Sequence, residues 1–319
     1  MLITGMNSYI GGSLSKWLVK CLGEYSIDTM SMRDDLWKEK DFTKYDVVFH
    51  VAGIAHVSTD PNMEDSYYKV NRDLTIEAAK KAKMAGVKQF IFMSSIIVYG
   101  DSGNINDKKV INKNTITNPS NFYGNSKLQA EEGIKSLEND DFKIVILRPP
   151  MIYGKGSKGN YPRLAKLAQK LPMFPDIDNE RSMLHIDNLC EFIRLIIKNE
   201  ERGLFFPQND EYVKTSEMVK LIAEAHGKKI TLTKVFNPIL RLMGLKLGIV
   251  NKVFGDFVYD LNMSDYKENY RIWDLKESIT TTEESNSKKS TSKESTPKEE
   301  SITLTQKITH RNKLPKKIS

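Results

Sequence analysis

The chain has 319 residues, of which 39% are hydrophobic and 28% are charged. This is the composition of an ordinary soluble chain that can bury a large core in one or two domains. The net charge of +7 is uneven, because residues 279–319 hold nine Lys/Arg and five Asp/Glu and leave only +3 for the rest. The globular part is therefore not a basic platform for nucleic acid.

The cysteine content and the hydropathy pattern exclude two further classes. Cys21 and Cys190 lie in apolar helical patterns and indicate buried thiols in a reducing cytoplasm, not a disulfide framework. A secretory signal pattern is not visible, and no apolar run approaches the ~18–20 residues of a membrane span. We therefore expect a cytoplasmic protein without a membrane span.

The N-terminus has the pattern of a strand, a glycine-bearing turn and a helix, which opens dinucleotide-binding folds. An apolar run at residues 1–4 precedes Gly5, which permits a tight turn, and Gly11 lets the following helix pack closely. The N-terminus of that helix would face a pyrophosphate. The predicted cofactor-binding residues of this segment are Gly5, Ser8, Tyr9, Ile10 and Gly11.

The second predicted strand, residues 26–31, ends without an acidic residue in the position that would bind an adenosine 2′-hydroxyl. Arg33 and Asp34 follow directly and favour opposite cofactors, since an arginine suits the 2′-phosphate of NADP and an acid suits NAD. We expect NAD, with NADP as the alternative, and we include Arg33 among the cofactor-binding residues.

Apolar strands then alternate with helical patterns. The predicted strands are 45–52, 89–95 and 143–147, and the predicted helices are 61–84 and 121–137. This alternation predicts an α/β protein with a doubly wound parallel sheet of the Rossmann type. Ser95, Val51 and Ala52 would then lie at the carboxyl ends of strands, where ligands bind in such sheets.

Tyr123 and Lys127 are four residues apart, so a helix would place both side chains on one face. An ammonium beside a phenol lowers the phenol pKa and lets it exchange a proton with a substrate hydroxyl. The upstream Ser95 hydroxyl can hold the same oxygen. This trio suits hydride transfer, although a tyrosine and a lysine at this spacing also occur on solvated helix faces.

Beyond Gly154 the alternation of strands and helices becomes less regular, and Gly and Pro residues separate short predicted helices. We predict three regions: a dinucleotide-binding domain at 1–158, a smaller substrate-binding region at 159–278 that is partly interleaved with the sheet, and a tail at 279–319. The tail is rich in Ser, Thr, Lys and Glu and lacks apolar periodicity, so we expect it to be disordered.

Several motifs in this order resemble the extended short-chain dehydrogenases/reductases of the nucleotide-sugar epimerase/dehydratase family. The matching segments are Thr4-Gly5 through Gly11, Asp41-Phe42, His50-Val51-Ala52-Gly53, Lys69-Val70-Asn71, the trio Ser95, Tyr123 and Lys127, Leu147-Arg148-Pro149-Pro150, and Arg181 through Ile186. The resemblance covers roughly residues 1–275. Ser8 departs from the family pattern, since a glycine usually stands there.

The resemblance implies roles for individual residues. Ser95, Tyr123 and Lys127 would be catalytic, and Lys127 would also hold the nicotinamide ribose. Arg181 would bind the substrate diphosphate, together with substrate contacts from Ser95 and Tyr123. The further cofactor-binding residues that the resemblance implies are Asp41, Phe42, Val51, Ala52, Gly53, Asn71, Tyr123, Lys127 and Pro150. No metal site is expected.

The resemblance implies a UDP-sugar 4-epimerase in surface polysaccharide synthesis, with a nucleotide sugar as substrate and a homodimer as an allowed assembly. A 4-keto-sugar reductase needs the same trio and stays an alternative, as does a regulator that only binds a dinucleotide. Sugar-nucleotide 4,6-dehydratases carry an acid pair after the serine position. Here Ile96 and Ile97 stand in those positions and cannot move protons, which argues against dehydration.

Overall fold

The computed structural model describes residues 1–287 apart from 22, 56–59, 245 and 247. In chain order the strands are β1 (Leu2–Thr4), β2 (Asp28–Met30), β3 (Val47–His50), β4 (Gln89–Met93), β5 (Val110–Ile111), β6 (Lys143–Leu147), β7 (Met151–Tyr153), β8 (Met173–Pro175), β9 (Met183–His185), β10 (Gly203–Phe205), β11 (Thr231–Thr233) and β12 (Val258–Tyr259).

The α-helices are α1 (Tyr9–Val19), α2 (Glu64–Tyr67), α3 (Leu74–Met84), α4 (Phe122–Lys135), α5 (Asn160–Lys170), α6 (Ile186–Lys198), α7 (Thr215–Ala225), α8 (Asn237–Gly244), α9 (Gly248–Phe254) and α10 (Leu275–Ser287). Short 3₁₀ helices span Asp35–Lys38, Pro61–Met63, Ile96–Tyr99 and Leu261–Ser264. None of these described helices is both long and apolar enough to cross a bilayer.

Six strands form the central sheet in the order β10-β6-β4-β3-β1-β2, and every pairing in it is parallel. The inner strands β1, β3, β4 and β6 are mostly apolar and buried, as expected for a sheet that is covered on both faces. The side chains of β4 are all buried, for example. The winding direction reverses between β1 and β3, and this switch point is where ligands bind in open parallel sheets.

Helices cover both faces of the sheet, which confirms the doubly wound prediction. On one face α1 and α6 contribute Trp17, Leu18, Phe192 and Ile193 to a core with the sheet residues. On the other face α3 and α4 contribute alanines and Ile134 to a second core. Small residues such as Ala78 and Ala82 let α3 approach the strands closely.

The helix predicted over residues 61–84 is interrupted by a π-helical segment, Tyr68–Asp73, between α2 and α3. Asn71 lies in this segment with its side chain fully buried. Its Oδ1 accepts from the Ile54 backbone N–H at 2.8 Å, and its Nδ2 donates to the Ile54 carbonyl at 3.1 Å. Irregular turns of this kind occur often at functional sites, and here the turn fixes the loop that follows β3.

The remaining elements form a second region around a third core, with α5, α7 and three two-stranded parallel ladders. Within it β5 pairs with β12 across a long stretch of sequence. Strand β10 likewise returns to the central sheet beside β6. The boundary between residues 158 and 159 stays a prediction.

The predicted start of the tail at residue 279 is wrong, because α10 continues to Ser287. Ile279 is fully buried in the core beside α7. The Glu283 carboxylate accepts a hydrogen bond from the Tyr161 hydroxyl at 2.7 Å. The polar composition concealed this docking, since the Ser, Thr and Glu residues here bond to buried partners. The rest of the predicted tail, residues 288–319, lies outside the described residues.

We predict that Ile279→Ala lowers the free energy of unfolding by about 2–5 kcal/mol, the usual cost of truncating a buried aliphatic side chain. The matched change Lys276→Ala, on the exposed side of the same helix, should alter it by less than about 0.5 kcal/mol. Chemical denaturation measures both values. Truncation after Ser278 should likewise lower Tm, and an unchanged Tm would mean that α10 contributes nothing to the fold.

Candidate active site

Two adjoining cavities, of about 600 and 680 Å³, open at the carboxyl ends of β1, β3 and β4. We call the first the catalytic cavity, since it is lined by Ser95, Tyr123 and Lys127. We call the second the fingerprint cavity, since it is lined by Gly5, Ser8 and Arg33. Residues that line both are Asn7, Ser8, Val51, Gly53, Ile54 and Lys158. Together they form a continuous cleft long enough for an extended ligand.

The structure brings the predicted trio together from two elements. Ser95 follows β4, and its hydroxyl accepts from the Ile97 N–H at 3.3 Å, which caps the short helix that begins at Ile96. Tyr123 and Lys127 lie one turn apart at the start of α4. Asn121 caps this helix by accepting from the Gly124 N–H at 3.0 Å. The Ser95 hydroxyl also hydrogen-bonds the Tyr123 phenol.

The electrostatics of Tyr123 differ from the expectation of a lowered pKa. Burial raises the pKa of Tyr123 to about 12, and the hydrogen bond with Ser95 opposes this shift only in part. Lys127 is not among the causes of this shift, and its Nζ donates to the Met93 carbonyl at 2.9 Å. It also lies 4.7 Å from the centroid of the Phe92 ring. In the protein alone the phenol is therefore protonated at neutral pH.

Burial lowers the pKa of Lys127 to about 8, and the nearby Glu131 opposes this shift. The side chain is only 5% exposed, so its charge acts in a region that excludes water. Gly53 makes room for it, because a Cβ at that position would lie 3.3 Å from Nζ and 3.0 Å from Asn71 Oδ1. The ammonium at the cavity wall is therefore a strong hydrogen-bond donor for a polar ligand.

The glycine-bearing turn adopts the conformation that its sequence predicts. Gly5 has a φ of +89°, and a Cβ there would lie 2.9 Å from the Ala52 nitrogen. Ser8 caps α1, with its hydroxyl accepting from the Gly11 N–H at 3.0 Å. The first turn of an 11-residue helix thus faces the junction of the two cavities. Such an N-terminus favours a negatively charged group, so these residues fit the diphosphate of a dinucleotide.

Tyr9 and Ile10 also line the catalytic cavity, as does Pro150. The Tyr9 hydroxyl is buried and has no hydrogen-bond partner among the described residues. Burial raises the pKa of Tyr9, with further contributions from Asp187 and Cys190. A neutral donor is therefore directed into the wall of this cavity beside Gly154, where a Cβ would lie 2.9 Å from the hydroxyl.

Arg181 lines the catalytic cavity together with the trio. Its guanidinium donates to the Gly255 carbonyl at 2.8 Å, and no carboxylate of the described residues forms an ion pair with it. Burial lowers the pKa of Arg181 to about 10, while Asp256 opposes the shift. The group stays charged at neutral pH and has donors available for an anion.

Arg33 and Asp34 both line the fingerprint cavity. The Asp34 carboxylate is engaged with the Leu36 N–H at 3.2 Å, whereas the Arg33 side chain is exposed. The structure thus favours neither NAD nor NADP, and in this it agrees with the sequence.

Asp41 and Phe42 are not brought to either cavity, contrary to expectation. The Asp41 carboxylate accepts from the Thr43 N–H at 2.9 Å and from its hydroxyl at 2.7 Å, so it closes a local turn. Phe42 is 1% exposed and packs in the core of the α3–α4 face. Val51 and Ala52, in contrast, line the fingerprint cavity as expected, and Asn71 supports its rim through Ile54.

Sequence reasoning missed a buried ion pair behind the trio. The Arg148 guanidinium donates to both oxygens of Glu131, with distances of 3.0 Å from Nε and 2.5 Å from the terminal nitrogen. The Ser94 hydroxyl donates to the same carboxylate, and Arg148 also donates to the Tyr99 hydroxyl at 2.6 Å. Glu131 follows Lys127 by one helical turn, and Arg148 ends an apolar strand. These two positions in the sequence were the signals from which a buried ion pair between Glu131 and Arg148 could have been inferred.

The strand-end histidines serve the structure. His50 bonds to the Thr4 hydroxyl at 2.9 Å and the Thr75 hydroxyl at 3.1 Å, and burial lowers the pKa of His50 to about 3. Burial likewise lowers the pKa of His185 to about 4. Within the described part of the chain, no group of three His, Cys, Asp or Glu side chains could hold a metal ion.

Comparison with known proteins gives related sequences and folds. A UDP-glucose 4-epimerase of Vibrio cholerae is 30% identical over 288 residues, which are 82% of this chain and 87% of the relative. An N-acetyl-alpha-D-glucosaminyl-diphospho-ditrans,octacis-undecaprenol 4-epimerase of Escherichia coli O157:H7 is 29% identical, over 70% of this chain and 68% of the relative.

Among solved structures, a UDP-glucuronic acid 4-epimerase of Bacillus cereus in complex with NAD has a TM-score of 0.65 at 18% identity. The match covers 89% of this chain and 96% of that one. A dTDP-4-dehydrorhamnose reductase of Clostridium acetobutylicum has a TM-score of 0.64 at 18% identity, over 90% and 99% of the two chains. At this identity the likeness shows a shared fold.

The sequence profile of the NAD dependent epimerase/dehydratase family matches residues 1–205, nearly two thirds of the chain, and the match includes Ser95, Tyr123 and Lys127. This agrees with the resemblance inferred from the motifs. The chain belongs to the NAD dependent epimerase/dehydratase family.

Proposed function

We propose that this protein is a nucleotide-sugar 4-epimerase that uses a tightly held NAD. The observation that carries the proposal is the convergence of Ser95, Tyr123 and Lys127 in one cavity that is also lined by Arg181. The trio supplies proton transfer and Arg181 supplies an anion site. The names of the Vibrio cholerae and Bacillus cereus relatives support a UDP-sugar substrate.

The residues for the cofactor are the turn from Gly5 to Gly11, the rim at Val51–Gly53 and the Lys127 ammonium. When bound, NAD(P) accepts a hydride from the sugar carbon and can return it. The helix N-terminus after Ser8 would hold the diphosphate, and Lys127 would donate to a ribose hydroxyl. The free Arg33 side chain keeps NADP as an alternative.

In the proposed reaction the Tyr123 oxygen removes the proton from the sugar C4 hydroxyl, and Ser95 orients that hydroxyl. A phenol with a pKa of about 12 is a poor base at neutral pH. Positive charge brought into the cavity favours the phenolate, as does the Lys127 ammonium once it turns toward the site. We therefore expect Tyr123 to act as a base only in the loaded enzyme.

Ile96 and Ile97 both line the catalytic cavity, so the positions where a dehydratase would need an acid pair present aliphatic groups. The keto-reductase alternative uses the same trio and finds support in the reductase among the similar folds. The Escherichia coli relative's name adds a sugar diphosphate on a polyprenol carrier as a second substrate class.

Incubation with UDP-glucose, UDP-galactose or UDP-glucuronic acid tests the proposal. Interconversion of C4 epimers without net change in absorbance at the NADH band supports an epimerase. Cofactor consumed in proportion to product would replace the proposal with a reductase. Binding of NAD without turnover of any sugar nucleotide or of a polyprenol-linked sugar diphosphate would favour the non-catalytic regulator.

We predict that Tyr123→Phe lowers kcat by about 10²–10⁴-fold, the usual contribution of a positioned acid–base group. The change removes one oxygen and should leave Tm and NAD binding unchanged. Tyr25→Phe is the matched control, since Tyr25 lines neither cavity. Steady-state kinetics on the substrate found above measures both. Near-wild-type turnover of Tyr123→Phe would reject the assignment of the base.

A second prediction concerns Arg181, whose planar guanidinium matches a diphosphate better than an ammonium does. Arg181→Lys should raise KM for the sugar nucleotide by about tenfold, roughly the loss of one charge-assisted hydrogen bond, and lower kcat less. Arg202→Lys is the control, because Arg202 pairs with the exposed Asp140 at 3.5 Å on the surface. Equal KM values for wild type and Arg181→Lys would exclude Arg181 from substrate binding.

A further inference from the structure

One stretch of the chain has a charge pattern unlike the rest. Residues 225–255 contain six Lys/Arg and no Asp/Glu, whereas the whole chain has 48 basic and 41 acidic residues. All six cations are exposed, and four of them lie between β11 and the end of α9: Lys234, Arg241, Lys246 and Lys252. None of the four forms an ion pair with another described residue. Their charge is therefore available to an external anionic surface.

The same stretch exposes large apolar side chains. On α8, Ile239 is 62% exposed and Leu242 is 66% exposed, and Val235 just before the helix is 77% exposed. Leu240 instead packs on the core beneath α8, which anchors one flank of the helix and turns the other outward. We call Val235, Ile239, Leu242 and the four exposed cations the basic–apolar surface. Clustered apolar exposure of this kind marks an interaction site.

The basic–apolar surface adjoins the rim of the catalytic cavity. Lys252 on α9 lines that cavity. Asn251 accepts from the Ile105 N–H at 3.0 Å, and its carbonyl accepts from the hydroxyl of the cavity residue Ser102 at 2.9 Å. The Arg181 guanidinium reaches the Gly255 carbonyl just after α9. A binding partner that covers α8 and α9 would therefore lie beside the opening of the catalytic cavity.

We propose that the basic–apolar surface docks this protein onto an anionic lipid membrane. Aliphatic side chains interspersed with unpaired Lys and Arg fit a bilayer interface, where the apolar groups enter the acyl boundary and the cations meet lipid phosphates. A nucleic acid offers the charge but no partner for Ile239 and Leu242. Among the described residues no helix is long and apolar enough to span a bilayer, so the proposed contact is made by the surface of α8 and α9.

The placement has a consequence that rests on the proposed function. A sugar diphosphate carried on a lipid would present its sugar beside the opening of the catalytic cavity while its lipid stays in the membrane. Docking thus brings the lipid-carried class of substrate within reach of the catalytic cavity, in addition to the freely diffusing nucleotide sugars. The docking itself is measured without any activity, so its failure and the failure of the proposed function are distinguishable.

The experiment is sedimentation of the full chain with vesicles. Wild type should bind vesicles of phosphatidylcholine mixed with phosphatidylglycerol, bind those of phosphatidylcholine alone more weakly, and be released by salt. The double variant Ile239→Ser/Leu242→Ser should bind the mixed vesicles at least about tenfold more weakly than wild type does. Lys234→Gln and Lys246→Gln should each weaken binding about fivefold.

Val19→Ser/Ile116→Ser is the matched control, since these apolar residues are 69% and 84% exposed elsewhere on the surface. It should bind like wild type, and circular dichroism should show that all variants are folded. Unchanged binding of Ile239→Ser/Leu242→Ser would overturn the proposal. A shift of that variant in oligomeric state, without vesicle binding by wild type, would also overturn it and assign the surface to a protein contact.

Discussion

The buried pair of Glu131 and Arg148 sets the geometry on which the active site depends. Arg148 directly follows β6 and Glu131 belongs to α4. Ser94, directly after β4, donates to the same carboxylate. Both charged side chains are withdrawn from water, so either one alone would carry a desolvation cost of several kcal/mol. Because only one arrangement satisfies both, α4 is fixed relative to the strand ends. Tyr123 and Lys127 then face Ser95 without any contribution from a ligand.

Burial acts in opposite directions on the two titratable members of the trio. It raises the pKa of Tyr123 to about 12 and lowers the pKa of Lys127 to about 8, so the pKa values of the two groups move apart. In each case burial favours the neutral form. Charge that a ligand adds to the cavity, and not a change of fold, therefore decides the protonation states of Tyr123 and Lys127. A sequence pattern shows which groups meet, but it does not show which of these opposing effects is larger.

The predictable parts of the structure are those that depend on local geometry. Gly5 was recognisable because its turn needs a positive φ, and Tyr123 and Lys127 because helical spacing places them together. Asp41 and Phe42 were misplaced, because the turn at Thr43 uses the carboxylate locally. The docking of α10 was missed, since its polar residues find partners more than 100 positions away, as Ser278 does with the Tyr153 hydroxyl. Hydrogen bonds between polar groups that are far apart in the chain produce no periodic pattern in the sequence.

The π-helical segment at Tyr68–Asp73 sets the rotation of α2 about the helix axis relative to α3. Each residue of a regular helix advances by about 100°, so a turn with one extra residue rotates everything before it relative to α3. Tyr67, on the earlier side, packs against the Tyr123 ring with a centroid distance of 5.7 Å. Loss of a single residue between 68 and 73 would let the helix become regular and swing Tyr67 off that ring. The number of residues in this short turn therefore helps to orient the Tyr123 phenol.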